Sequence, residues 1–134
     1  MRLLAYEVDA ATVSPGEALT VTLYWQALAP MAEDYSLYLH LFGWEGQRLG
    51  QRDSHLGMGN YPTSAWQPGQ VVRDRYKIPV RRDAQGPVAA ELEVGVYRLS
   101  DMDRLTPTDG EGRVSERPIL TRVKIAAPTV PGVP

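Results

Sequence analysis

The sequence predicts an all-β fold, an immunoglobulin- or fibronectin-III-like β-sandwich of about seven antiparallel strands. Three observations lead there. Alternating apolar and polar runs recur at roughly ten- to fifteen-residue spacing, separated by turns rich in Pro and Gly. No stretch keeps helical periodicity over three turns. A single long connector, Gln51 to Gly69, divides two blocks of β pattern, as such a sandwich needs where the chain changes sheet. Residues 1–127 read as one β-sandwich domain, and 128–134, PTVPGVP, as a disordered Pro/Gly-rich tail.

Residues 2–12 alternate loosely and read as a first strand, ended by the turn Ser14-Pro15-Gly16-Glu17. The cleanest strand follows: Leu19, Val21, Leu23 and Trp25 alternate with Thr20, Thr22, Tyr24 and Gln26, so the first set faces the core. Tyr35 to Phe42 alternates again, with Tyr35, Leu37, Leu39 and Leu41 on one face and Ser36, Tyr38, His40 and Phe42 on the other. Gly43 to Gly46 makes a hairpin turn, and Gln47 to Asp53 a short returning strand. Gln70 to Val80 puts Val72, Tyr76 and Ile78 inward and Arg73, Arg75 and Lys77 outward; Pro79 marks its end or a sheet edge. Val88 to Leu99 points Val88, Ala90, Leu92, Val94 and Val96 inward with Glu91, Glu93 and Tyr97 outward. Arg113 to Ala126 supplies a last strand, most regular from Ile119 to Ile125.

Charge excludes some partners. Fourteen basic against sixteen acidic residues leave a net charge of −2 and no overall bias towards nucleic acid or an anionic bilayer. The local cluster Arg73, Arg75, Lys77, Arg81 and Arg82 is diluted by Asp74 and Asp83 and reads as a solvated face. Without cysteine there is no disulfide framework and no thiolate metal site. No apolar run reaches the roughly 18–20 residues that cross a bilayer, and Met1-Arg2 leads directly into a strand pattern rather than a secretory signal. No direct membrane insertion and no cofactor are therefore expected.

Chemistry-bearing residues are sparse. Asp101 and Asp103, with Asp109 and Glu111 after them, are the best metal candidates, since hard cations want several oxygens from a tight loop. Their spacing lacks the Asp ladder and distal Glu of an EF-hand, and they read as hairpin-loop acids. A hydrolytic site pairing Asp53 with His55, or using Glu45, would need two carboxylates across a cleft, which sequence neighbours do not show. There is no nucleophile elbow, and His40 reads as a hydrogen-bonded surface residue of its strand. The connector offers more. Tyr61 and Trp66 stand five positions apart beside Pro62 and Pro68-Gly69, and flat rings on sandwich loops stack on sugars or grip peptides. Trp44 in the hairpin turn adds stacking surface, with Gln51, Asp53 and Asn60 as hydrogen-bonding neighbours. The competing reading has Tyr61 and Trp66 plug the open edge of the sandwich.

Several segments carry a family resemblance: VSPGEALTVTLYWQA (13–27), DYSLYLHL (34–41), QRDS (51–54), GNYPTSAWQPG (59–69), DRYKIP (74–79) and VGVYRL (94–99). Over roughly residues 3–125 the chain resembles a soluble C-terminal β-sandwich domain of Chloroflexus-type multi-pass membrane proteins similar to dolichyl-phosphate-mannose-type glycosyltransferases. The resemblance implies a non-catalytic, extracytoplasmic accessory module, membrane-associated through a parent enzyme, with a glycan or that enzyme as partner. A rigid spacer or docking domain with no small-molecule ligand is the alternative.

Overall fold

In the computed structural model, which describes residues 1–115 and 117–128, the chain folds into two packed sheets. The strands are β1 (Arg2–Val8), β2 (Thr12–Val13), β3 (Ala18–Gln26), β4 (Tyr35–Phe42), β5 (Arg48–His55), β6 (Val71–Pro79), β7 (Val88–Arg98) and β8 (Ile119–Ile125). One sheet has the order β1-β3-β6 and the other β2-β8-β7-β4-β5. The all-β sandwich read from the alternation is the observed architecture. The tail lies outside the described residues from position 129 onward.

The core forms where the two inner faces meet. Leu19, Val21, Leu23 and Trp25 of β3 are buried with Leu37, Leu39 and Leu41 of β4, and with Ala90, Leu92 and Val94 of β7. The period of two forces this outcome: cross-strand pairing of Leu39 with Val94, and of Leu41 with Leu92, places every inward residue on one side. β6 ends at Pro79 and forms the edge of its sheet, as that proline requires.

Four expectations are corrected. The first strand is two strands. At the corner the Asp9 carboxylate accepts the Thr20 amide at 2.9 Å, and the chain leaves β1 to add β2 to the opposite sheet. There β2 pairs with β8 in parallel, so the sandwich is not wholly antiparallel. The returning strand runs to His55, so the connector proper begins at Leu56. The final strand is confined to Ile119–Ile125.

The outward face of β4 is also less exposed than its alternation implies, because Ser36, Tyr38 and His40 are all buried. The segment after β7 folds back beside it, donating the Leu105 amide to the Val96 carbonyl at 2.7 Å and bringing the Arg104 guanidinium 4.8 Å from the Tyr38 ring centre. Tyr38 lies flat on Gly95, its cross-strand partner, where a β-carbon would overlap the phenol ring. Gly95→Ala is therefore expected to displace the ring and lower stability by about 1–3 kcal/mol, as overpacking does. A urea denaturation midpoint unchanged from wild type would show that the ring can move aside freely.

Candidate functional site

The connector that carries the sequence's first candidates is a packed plug. Leu56, Thr63 and Trp66 are buried in it, and Tyr61 is half-buried. Trp66 is only 2% exposed, its Nε1–H donates to the Tyr61 carbonyl at 3.0 Å, and the two rings stack at 6.3 Å. Thr63 ties the plug to β4: its hydroxyl donates to the Glu33 carbonyl at 2.8 Å and accepts the Tyr35 amide at 3.0 Å. The Tyr61 hydroxyl is spent on the Gln70 side chain at 2.9 Å. Trp66 as a ligand-stacking residue is thus corrected: its faces are covered by protein, and the edge-plug reading describes it.

The other end of β4 differs. Trp44, in the tight turn between β4 and β5, is 86% exposed. It rims a cleft of about 270 Å³ that also takes in Phe42, Glu91, Glu93 and Arg117. The two glutamates project from the same face of β7, cross-strand from Phe42 and His40. Arg117 reaches both, at 3.5 Å from Glu91 and 3.6 Å from Glu93, while Arg122 approaches Glu91 at 3.6 Å. The Arg117 guanidinium also lies 6.0 Å from the Phe42 ring centre. A flat exposed indole beside two acceptor carboxylates and a five-donor guanidinium offers a stacking face and hydrogen bonds of both senses.

The six predicted binding residues do not converge. Gln51 and Asp53 face outward on β5, opposite His40 and Tyr38 of β4, and only Gln51 reaches a cavity. Asn60 and Tyr61 sit beyond the start of β4 and Trp44 beyond its end, roughly 25 Å away at the rise of a strand. His40 is corrected from a surface residue to a buried one. Burial holds its pKa below the ordinary 6.5 and nearby Arg48 depresses it further, against the opposing pull of Asp53 and Glu93. The ring is uncharged at neutral pH, so its 3.8 Å approach to Asp53 is not an ion pair. His55 contacts the Ser36 hydroxyl at 3.0 Å rather than Asp53.

The acidic loop turns its carboxylates to neighbouring arginines. Asp101 and Asp103 both turn to Arg98, at 3.0 and 3.4 Å, and Asp109 to Arg113 at 2.9 Å. Among the described residues, no three His, Asp or Glu side chains are grouped to hold a metal ion. Sequence reasoning missed Glu93 and Arg117. The alternation of β7 already put Glu91 and Glu93 outward, but only the strand register sets them beside Phe42 and the hairpin.

No family model matches the chain, and no curated protein is similar to it in sequence. Among solved structures, the fold is similar to part of a β-glucuronidase of glycoside hydrolase family 2. The two superpose with a TM-score of 0.52 at 10% sequence identity over 78% of this chain. The match spans only 11% of that enzyme's length, a domain-sized piece of it. At such identity the likeness is one of fold.

Proposed function

We propose that this chain is a non-catalytic glycan-binding accessory module, working outside the cytoplasm as part of a glycosyltransferase-like membrane protein. The observation that carries the reading is Trp44, an indole 86% exposed on the rim of a cleft furnished with Glu91, Glu93 and Arg117. An isolated ring of that size held out on a tight turn does no packing, and its flat face suits a sugar ring. Both carboxylates lean on one guanidinium, an arrangement suited to holding hydroxyl groups. The likeness in fold to part of a glycoside hydrolase supports a sandwich that sits beside a carbohydrate-processing enzyme.

Trp44→Ala is expected to weaken glycan binding, screened on an array and quantified by calorimetry, by about tenfold, equivalent to about 1.4 kcal/mol. The thermal midpoint is expected to stay within error, because the side chain is exposed. Unchanged binding in the variant would remove Trp44 from the site. The second reading is a rigid spacer or docking domain, favoured by the burial of Trp66 in the connector. It predicts no glycan bound at millimolar concentration by the wild-type domain.

A further inference from the structure

From sequence alone, Asp74 dilutes the basic row of β6. The structure removes it. Along β6 the residues Val71, Arg73, Arg75, Lys77 and Pro79 are exposed, whereas Asp74 points inward and is fully buried. Asp83 is likewise spent, gripping Arg81 with two hydrogen bonds of 2.8 Å. Three cations therefore stand at every second position on one face, roughly 6.7 Å apart and roughly 13 Å from end to end.

The neighbouring strand leaves them unopposed. Lys77 pairs across to Thr20, Arg75 to Thr22 and Arg73 to Tyr24, all uncharged. Two acids stand one strand further out: Glu7, in register with Arg75 through Thr22, accepts the Tyr24 hydroxyl at 3.2 Å, and Asp9, in register with Lys77 through Thr20, accepts the Thr20 amide at 2.9 Å. Among the described residues none of the three cations lies in an ion pair. In a chain of net charge −2, this is a concentrated exception.

The row also leads somewhere. Pro79, the next exposed residue after Lys77, lines a depression of about 560 Å³ with Phe42, Arg48, Gln51, Val80 and Arg81. Among the described residues, no carboxylate lines it. Arg48 donates to the Gln51 side chain at 2.7 Å and, among the described residues, meets no acid. Gly50 lets β5 approach β6 closely enough to join row and depression, since a β-carbon there would lie 2.8 Å from the Pro79 carbonyl oxygen.

We propose that the row and the depression form one track for a linear acidic polysaccharide. Its carboxylate or sulfate groups lie along Arg73, Arg75 and Lys77, and one acidic ring is seated between Phe42, Pro79 and Arg48. Charge complementarity selects a polyanion. The concave end, with apolar edges beside guanidinium donors, fits a charged sugar ring rather than the flat surface of a bilayer. The inference rests on the glycan-binding reading and names the class of glycan.

The test is calorimetric binding of polygalacturonate and of uncharged dextran of similar length, at roughly 50 mM salt where screening is weak. Wild type is expected to bind polygalacturonate and to discriminate against dextran. The triple variant Arg73→Gln/Arg75→Gln/Lys77→Gln should bind polygalacturonate about tenfold more weakly, and added salt should erase the difference. These side chains are exposed, so an unchanged thermal midpoint is expected alongside. The same triple substitution in a Trp44→Ala background should lose the same factor. That arm holds even if Trp44 proves to have no part in binding, which separates failure of this inference from failure of the Trp44 site. Equal affinity for the two polymers would overturn the proposal, as would an unaffected triple variant. Tighter binding to phosphatidylglycerol vesicles or to oligo-dT than to polygalacturonate would overturn it too, in favour of a lipid or nucleic-acid surface.

Discussion

Trp66→Ala lowers the unfolding free energy by about 3–5 kcal/mol, the expected result for emptying the space of a buried large aromatic. The indole is almost wholly enclosed and is also the fastener of the connector. Its Nε1–H holds the Tyr61 carbonyl, its ring stacks on Tyr61, and its own amide donates to Thr63 at 3.1 Å. Truncation therefore opens a cavity and unpairs a carbonyl in the same step. Equilibrium urea denaturation reads the effect, with Trp44→Ala as the companion in which a tryptophan of equal size changes stability by no more than about 0.5 kcal/mol. The contrast is between two tryptophans of one chain, so it tests burial rather than residue type. A loss below 1 kcal/mol would mean that the connector collapses onto the gap and that Trp66 anchors nothing.

These two tryptophans also show where a single sequence is readable. Alternation is a local property, so β3, β4, β6 and β7 and their inward faces follow directly from Leu19 to Trp25, Leu37 to Leu41, and Ala90 to Val94. Which face of a loop aromatic is covered depends on what lies across the sandwich, and local pattern carries no such information. Tyr61 and Trp66 look like a stacking pair from their spacing, yet they stack on each other. Glu91 and Arg117 lie 26 positions apart, and only the β4–β7 and β7–β8 registers bring them to the hairpin. Asp74 is the sharpest case. Flanked by arginines, it reads as part of a charged exterior, but the period of two that sends Arg73 and Arg75 outward must send Asp74 inward. The pattern carries that placement, whereas the Gly57 amide that donates to the carboxylate lies 17 positions away and is invisible to it.

Asp74 accordingly leads to the second large effect. Its carboxylate is fully buried, cross-strand from Leu23. One oxygen accepts the Gly57 amide at 3.1 Å and the Tyr76 hydroxyl at 2.9 Å, pinning the start of the connector to β6. Among the described residues, neither the other oxygen nor the buried Trp25 Nε1–H makes a well-formed hydrogen bond. Burial raises the carboxyl pKa above its ordinary 3.8, outweighing the hydrogen bonds from Gly57 and Tyr76 that pull it down. In the raised window the folded protein holds more protons than the unfolded chain, so stability falls as pH rises through the folded-state pKa. The expected result is that wild type gains stability relative to Asp74→Asn as pH is lowered from 7 towards 3.8, because only wild type has this group to protonate. A flat difference, or one of opposite sign, would mean that the hydrogen bonds govern the charge rather than burial. Asp74→Ala, measured at pH 7, removes the acceptor outright. It leaves the Gly57 amide unpaired in the core, at about 1–3 kcal/mol. The two variants separate the roles of this side chain, since the first keeps the pin and loses the charge while the second loses both.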